Sequence, residues 1–170
     1  MIICLIGEPA SGKTTLMKSL MSEMGTMELI TKPFCHHRLG KFIVLGKYDK
    51  GVFQGTDKLS MAVQPLAVDL VRNNPEKVIL LEGDRLGNLS FFKEVKKYHE
   101  LHIICIKVDE NTKEIRHVTR ADKQTSQFKK AKKTKIANII GAEKCSVYMN
   151  NDYKQQALIK AAIKEMIFKK

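Results

Sequence analysis

The segment Gly7-Glu8-Pro9-Ala10-Ser11-Gly12-Lys13-Thr14 carries residue types and a spacing that suit the chemistry of phosphate groups. Glycines permit backbone conformations that turn several N–H groups toward one anion, and a helix starting here adds its partial positive charge. Lys13 supplies a full charge to the β- and γ-phosphates, and the Thr14 hydroxyl is suited to Mg²⁺. With Thr15, the segment predicts a P-loop that binds a nucleoside triphosphate, with ATP and Mg²⁺ as the expected ligands.

A second charged group, Glu82-Gly83-Asp84-Arg85, follows the apolar run at residues 78–81. Ligands of open α/β sheets bind beyond the carboxyl ends of the strands, so we expect these side chains beside the phosphates. Glu82 or Asp84 is expected to hold magnesium through water, with Glu82 as the first candidate and Asp84 also a candidate for acceptor binding. Arg85 is expected to reach a phosphate and assist catalysis, and an Asp84–Arg85 ion pair in a polar turn is the alternative.

Two arginines, Arg116 and Arg120, lie four residues apart in a helical pattern, which places both guanidinium groups on one face. The lysine-dense residues 123–135 follow directly. This arrangement resembles the lid of small P-loop kinases of the nucleoside monophosphate kinase superfamily. The resemblance implies that Arg116 and Arg120 close over the nucleotide and that Arg120 stabilises the transferred charge. A solvated basic helix is the alternative.

The stretch after the apolar run at residues 42–45 contains candidates for handling an acceptor hydroxyl. A kinase needs a residue that orients this hydroxyl or accepts its proton. Asp49 is the first candidate, and Asp57 is the second, although Asp57 could instead be the N-cap of the next helix. Phe53 and Gln54 are expected to stack on a nucleobase and hydrogen-bond to it, with core packing as the alternative for Phe53.

Apolar, strand-like runs alternate with helical patterns along the chain. Strands are predicted at residues 2–6, 42–45, 78–81, 101–106 and 146–149, with 27–30 as a shorter competitor of the second. Helices are predicted at residues 11–24, 59–73, 88–98, 112–122 and 152–168, and Pro65 marks a kink or a fresh start. The alternation predicts an α/β P-loop kinase fold with about five parallel strands, helices on both faces and a basic lid. One domain is expected over residues 1–170, with a mobile lid at about 116–136.

The positive charge is concentrated in the last third of the chain. Residues 1–112 contain 15 Lys and Arg against 13 Asp and Glu, whereas residues 113–170 contain 15 against 5. ATP alone does not require such an excess, whereas DNA or RNA would explain it. The sequence therefore predicts a polyanionic partner for the C-terminal third.

The composition indicates a cytoplasmic protein, because no apolar run approaches the roughly 18 residues of a membrane span and the N-terminus lacks the features of a secretion signal. Neither a membrane nor a protein partner is inferred. Cys35-His36-His37 could suggest a metal site, but adjacent residues rarely converge on one ion. The favoured interpretation is a buried thiol with two surface imidazoles.

Three further stretches resemble the 5-hydroxymethyluracil DNA kinases of phages with hypermodified thymine. They are K-Y-D-x-G-x-F-x-G-T-D-x-L-S-M at residues 47–61, L-E-G-D-R at 81–85, and a tail with Gln127, a lysine-rich run and T-K-x-x-N-I at 134–139. The resemblance implies ATP-dependent phosphorylation of the 5-hydroxymethyl group of a base in DNA, in the host cytoplasm if the chain is phage-encoded. Lys132 departs from the resemblance, because an arginine is expected there.

The sequence is therefore consistent with three functions. The first is a kinase acting on a hydroxymethylated pyrimidine in DNA, with Lys13 on the triphosphate and five lysines on DNA phosphates, namely Lys129, Lys130, Lys132, Lys133 and Lys135. The second is a deoxynucleoside monophosphate kinase acting on free nucleotides. The third is a non-catalytic, ATP-dependent nucleic-acid-binding module.

Overall fold

A central sheet of seven strands is found within residues 1–49, 54–119 and 124–168, which are the residues that the structure, a computed structural model, describes. In chain order the strands are β1 (Ile2–Ile6), β2 (Glu28–Ile30), β3 (His36–Leu39), β4 (Phe42–Leu45), β5 (Val78–Glu82), β6 (Leu101–Lys107) and β7 (Cys145–Met149). Across the sheet their order is β2-β3-β4-β5-β1-β6-β7. The strands from β4 to β7 in this order are parallel, whereas β3 is antiparallel to both of its neighbours.

The parallel part of the sheet confirms the predicted α/β P-loop kinase fold, because its five strands are the five predicted from apolar runs. The sheet is larger than predicted, since β2 and β3 add an antiparallel edge. The polar run His36-His37-Arg38 in β3 lacks the apolar pattern on which the prediction depended. The expectation of two surface imidazoles was wrong for His36, which is buried with Nδ1 2.9 Å from the carbonyl oxygen of Phe34.

Six α-helices and one 3₁₀ helix connect the strands in the described ranges. They are α1 (Lys13–Met24), the 3₁₀ helix (Thr56–Lys58), α2 (Gln64–Arg72), α3 (Leu89–Val95), α4 (Glu110–Thr119), α5 (Ser126–Ala142) and α6 (Tyr153–Phe168). Pro65 marks the fresh start of α2, since it lies in the first turn and the helix is shorter than predicted. Asp152 caps α6 and accepts a hydrogen bond of 2.8 Å from the backbone N–H of Gln155. None of these helices is long and apolar enough to cross a membrane.

Helices cover both faces of the parallel strands. Side chains of β1 alternate between the faces, so that Cys4 packs into a cluster with Phe91 and Phe92, and Leu5 into another with Leu16 and Ile163. Phe91 and Phe92 are fully buried, and each contributes on the order of 2 to 3 kcal/mol of hydrophobic stabilisation. This two-sided core holds the carboxyl ends of the central strands β1, β5 and β6 at the same end of the sheet.

The lysine-rich stretch forms a helix, although no helix was predicted between residues 122 and 152. Its described part from Ser126 onward belongs to α5, and the Thr125 hydroxyl caps this helix by accepting from the backbone N–H of Phe128 at 3.2 Å. Ile136 and Ile139, three residues apart, are buried and anchor the helix on the core. The basic side chains are therefore held on the defined faces of a helix.

Candidate active site

The loop between β1 and α1 has the backbone form that phosphate binding requires. Gly7, Ala10 and Gly12 have φ angles of 153°, 63° and 92°, and Gly12 is the residue from which α1 starts. Residues with positive φ turn neighbouring N–H groups toward a common point, as an anion site needs. Ala10 has a left-handed conformation that costs on the order of 1 kcal/mol, and such strain is typical of functional loops.

Two positions of this loop have room only for glycine, because neighbouring residues lie too close for a side chain. A Cβ atom on Gly7 would lie 2.4 Å from the carbonyl oxygen of Ile106, and one on Gly12 would lie 2.4 Å from Nδ2 of Asn150. Asn150 is buried and donates from Nδ2 to the carbonyl oxygen of Ser11 at 2.8 Å. Asn150, the residue after β7, therefore fixes the loop, and the backbone of β6 leaves no room for a side chain at position 7.

The Lys13 ammonium group lies over the loop. Its Nζ donates to the carbonyl oxygens of Gly7 at 2.7 Å and Glu8 at 2.9 Å, and lies 3.4 Å from the hydroxyl of Ser11. A phosphate entering the loop would offer charged oxygens in place of these neutral carbonyls, which is a stronger interaction. Glu8 itself is paired with Lys113 of α4 at 2.9 Å, so its carboxylate is directed toward α4.

A buried acid lies at the end of β5, next to the loop. Glu82 Oε1 accepts a 3.0 Å hydrogen bond from the Thr14 hydroxyl, because β5 and β1 are adjacent and parallel and their carboxyl ends meet. Burial raises the pKa of Glu82 to about 7, against the opposing influence of Lys13 and Thr14. A divalent cation would stabilise the ionised form, so the Thr14–Glu82 pair fits the predicted magnesium site.

Asp57 lies in the 3₁₀ helix and joins two parts of the site. Its Oδ1 accepts hydrogen bonds from the backbone N–H groups of Asp84 at 2.7 Å and Arg85 at 3.1 Å. The carboxylate is thereby fixed at the turn after β5. The alternative role as N-cap of the next helix was wrong, because Val63 occupies the N-cap position of α2.

The structure does not bring Asp49 into this cluster. Its carboxylate forms ion pairs with Lys47 at 3.2 Å and with Lys58, and its side chain is 39% exposed. The hydrogen bond from Lys58, followed by that from Lys47, lowers the pKa of Asp49. Among the described residues Asp57 lines the cleft beside the loop and Asp49 does not, which favours Asp57 over Asp49 as the candidate base.

A cleft of about 460 Å³ opens beside the P-loop and gathers most of the predicted site residues. The predicted residues that line it are Gly7, Pro9, Ala10, Gly12, Lys13, Thr14, Gln54, Asp57, Glu82, Asp84, Arg85, Lys132 and Lys135. Nε of Arg85 is buried and has no hydrogen-bond partner among the described residues, as expected for a group that awaits an anion. Phe128 in α5 and Gln124 just before this helix also line the cleft and were missed, since only the tertiary structure places them there.

The row of five lysines on α5 is divided between the cleft and the outer surface. Lys132 pairs with Asp84 and lies 4.8 Å from the ring centre of Phe128, while Lys135 donates to the carbonyl oxygen of Asp84 at 2.8 Å. Burial lowers the pKa of Lys135. These two lysines therefore face the cleft, whereas Lys130 and Lys133 are exposed and Lys129 is half-buried.

A smaller cavity of about 300 Å³ lies on the other side of the loop. Arg116 forms one wall, and its Nη2 donates to the carbonyl oxygen of Asn150 at 2.8 Å. Oδ1 of Asn150 is buried and has no hydrogen-bond partner among the described residues, and Thr15 also lines this cavity. Asn150 was not among the predicted site residues, although its position just after a predicted strand was the available signal.

Two predicted site residues, Phe53 and Arg120, lie outside the described residues. Among the residues that are described, no group of three or more His, Cys, Asp and Glu side chains converges to hold a metal ion. A magnesium ion at Thr14 and Glu82 would take its other ligands from phosphate and water, so it does not require such a group.

The parallel sheet, the strained loop at the start of α1 and the acid at the end of β5 define a P-loop nucleotide-binding protein of the kinase type. A family model described as P-loop Nucleotide Kinase3 matches residues 1–160, and the chain belongs to this family. The curated proteins include no significant match. Among solved structures the chain is similar to shikimate kinase from Bacteroides thetaiotaomicron, with a TM-score of 0.48 and 12% identity over 98% of each chain.

Proposed function

We propose that this protein is an ATP- and Mg²⁺-dependent kinase that phosphorylates the 5-hydroxymethyl group of a modified pyrimidine, 5-hydroxymethyluracil, in DNA. The observation that carries the proposal is the position of α5. This helix directs Lys132 and Lys135 into the cleft beside the P-loop and presents Lys130 and Lys133 to solvent. One element can therefore contact an anionic acceptor inside the cleft and a polyanion outside it.

The donor nucleotide is bound by residues 7–15. The loop amides and Lys13 hold the β- and γ-phosphates, and the cavity beside Arg116 and Asn150 takes the nucleobase. Thr14 and Glu82 would hold Mg²⁺, which neutralises phosphate charge when bound. This arrangement leaves the γ-phosphate directed toward the cleft that contains Asp57 and Arg85.

The transfer step needs no covalent enzyme intermediate. The hydroxymethyl oxygen forms a bond to the γ-phosphorus while the bond between that phosphorus and the β,γ-bridging oxygen breaks, and ADP leaves. Asp57 orients the hydroxyl and accepts its proton, and its position is fixed by the amides of Asp84 and Arg85. Arg85 and Lys13 stabilise charge on the moving phosphoryl group.

The acceptor side of the cleft suits a base that is attached to phosphates. Phe128 offers an aromatic face, Gln54 offers an amide, and Lys132 and Lys135 offer positive charge. A base in duplex DNA has to leave the stack to enter such a cleft, as in other enzymes that modify bases. The charge excess of residues 113–170 and the resemblance of residues 47–61 and 81–85 support DNA as the carrier of this base.

A deoxynucleoside monophosphate kinase is the second candidate. The description of the family as nucleotide kinases favours it, and the cations Arg85, Lys132 and Lys135 could equally hold the phosphate of a free nucleotide. The exposed lysines of α5 have no role in that activity. The third function, a non-catalytic binding module, leaves the placement of Asp57 beside Arg85 without a use.

The test is transfer of label from γ-labelled ATP to three acceptors, which are DNA with 5-hydroxymethyluracil, unmodified DNA and free deoxynucleoside monophosphates. We expect label only in the modified DNA, and we expect it to depend on Mg²⁺. Label in free nucleotides alone would overturn the proposal in favour of the second candidate. Binding of ATP and DNA without transfer to any acceptor would favour the third.

A further inference from the structure

A second concavity, of about 610 Å³, lies beside the acceptor cleft, between α5 and the first turn of α3. We refer to it as the α3–α5 groove; among its lining residues are Leu89, Gln127, Lys130, Ala131, Lys135 and Asn138. It is mainly apolar and wide enough for a small organic group. The function proposed above makes no use of it.

Lys135 connects the two depressions, because it lines both the cleft and the groove. Its Nζ donates to the carbonyl oxygen of Asp84, which holds the ammonium group at their common boundary. A phosphodiester at this boundary would meet a positive charge, and it would join a nucleoside in the cleft to a nucleoside in the groove. Lys130 adds a second cation on the wall of the groove.

The chemistry of the walls suits a nucleobase. Leu89 and Ala131 offer apolar surface for the face of a base, and the side-chain amides of Gln127 and Asn138 form no hydrogen bonds with described residues and can pair with its edge. Asn88, by contrast, is occupied in capping α3, since its Oδ1 accepts from the backbone N–H of Phe91 at 2.9 Å.

From this continuity and charge we infer that the α3–α5 groove binds the nucleotide next to the acceptor in the same DNA strand. The inference rests on the proposed function and deepens it, because it makes the substrate a strand segment of at least two nucleotides. A free nucleotide would leave the groove empty. The neighbouring base therefore influences how strongly the protein binds its acceptor.

The experiment uses the full chain and oligonucleotides with one 5-hydroxymethyluracil. In each oligonucleotide an abasic residue replaces the neighbour on the 5′ side, the neighbour on the 3′ side, or neither. Ala131→Phe fills the groove from an exposed position of α5, and Ala137→Phe is the matched control, since Ala137 is also exposed on this helix but does not line the groove. Circular dichroism and ATP affinity verify that both variants fold.

We expect the abasic residue to raise KM about 5- to 100-fold on one side only, which is the range for loss of one stacked base. Ala131→Phe should raise KM for the intact oligonucleotide by a similar factor and abolish the difference between the two sides. Ala137→Phe should behave as the unchanged protein. Transfer that is insensitive to both abasic positions and to Ala131→Phe would overturn the inference and leave the proposed function intact.

If no oligonucleotide is phosphorylated, the proposed function fails, and the groove is then tested by fluorescence anisotropy with an unmodified labelled oligonucleotide. Weaker binding by Ala131→Phe than by Ala137→Phe supports nucleotide binding in the groove, and equal binding overturns it. A change in sedimentation coefficient confined to Ala131→Phe would identify the groove as a contact between copies of the chain, and would also overturn it.

Discussion

The two sides of the site are built in different ways. The donor half combines the contiguous residues 7–15 with Arg116 and Asn150, and its Lys13 donates to the backbone carbonyl oxygens of Gly7 and Glu8. The acceptor half combines the 3₁₀ helix, the turn after β5 and α5, and there Asp84 pairs with Lys132 and Lys135. The donor half is therefore already shaped for phosphate, whereas an anionic acceptor has to exchange places with an internal ion pair. We therefore expect the acceptor half to determine selectivity.

The largest effect is expected from the donor half. Lys13→Met should reduce transfer about 10³-fold, because it removes the charge that stabilises the γ-phosphoryl group. Lys18→Met is a suitable control on the same helix, since Lys18 is exposed and donates to the carbonyl oxygen of Asp49. Steady-state kinetics with γ-labelled ATP measures both variants, and equal loss in both would contradict the role of Lys13 in the donor half.

The acceptor half is tested by comparing its two candidate acids. Asp57→Asn should lower kcat about 10²-fold, since the amide can still accept from Asp84 and Arg85 but cannot take a proton. Asp49→Asn should change kcat less than about threefold, because an exposed ion pair contributes little. ATP affinity, measured by calorimetry, should be unchanged in both. A larger loss for Asp49→Asn would restore the order predicted from the sequence.

Glu82 lies between the two halves of the site and makes the stability of the folded protein depend on pH. Its pKa of about 7 in the folded protein exceeds that of an unfolded glutamate. Ionisation of the buried carboxyl group therefore does not destabilise the folded state below about pH 4, and its destabilising effect grows as the pH rises to about 7. Without nucleotide and metal, Glu82→Gln should gain stability relative to the unchanged protein across this interval, by about 3 kcal/mol at its upper end. Urea unfolding at several pH values measures the difference, and a difference independent of pH would contradict the assignment.

The smallest effects should separate the two faces of α5. Lys132→Ala should lower kcat/KM for the acceptor about tenfold, because the cleft loses a charge-assisted hydrogen bond. Lys133→Ala should leave kcat unchanged and make the slope of log affinity against log salt less negative by about 0.9, as for one lost phosphate contact. An equal loss of kcat/KM in the two variants would contradict the division of the lysines between cleft and solvent.

The sequence alone determined the parallel strands and the donor loop, because both depend on short-range patterns. Apolar runs of four to six residues predict buried parallel strands, and the spacing of Gly7, Gly12, Lys13 and Thr14 specifies a loop at the start of a helix. Pro65 and Asp152 likewise act on their own neighbours, so their local roles were predictable. The polar strand β3 was not predictable, because its position depends on pairing with β4.

Only the tertiary structure decided the acceptor half. Asp49 and Asp57 are the same residue type in one stretch of the sequence, so residue type does not distinguish them as candidate bases. In the structure Asp57 accepts hydrogen bonds from the amides after β5, while Asp49 is paired with Lys47 and Lys58. The lysines of α5 form one run in the sequence, but buried Ile136 and Ile139 set the rotation of the helix and so divide them between cleft and solvent. Such choices depend on contacts between distant residues, and the residue types and local spacing carry no record of these contacts.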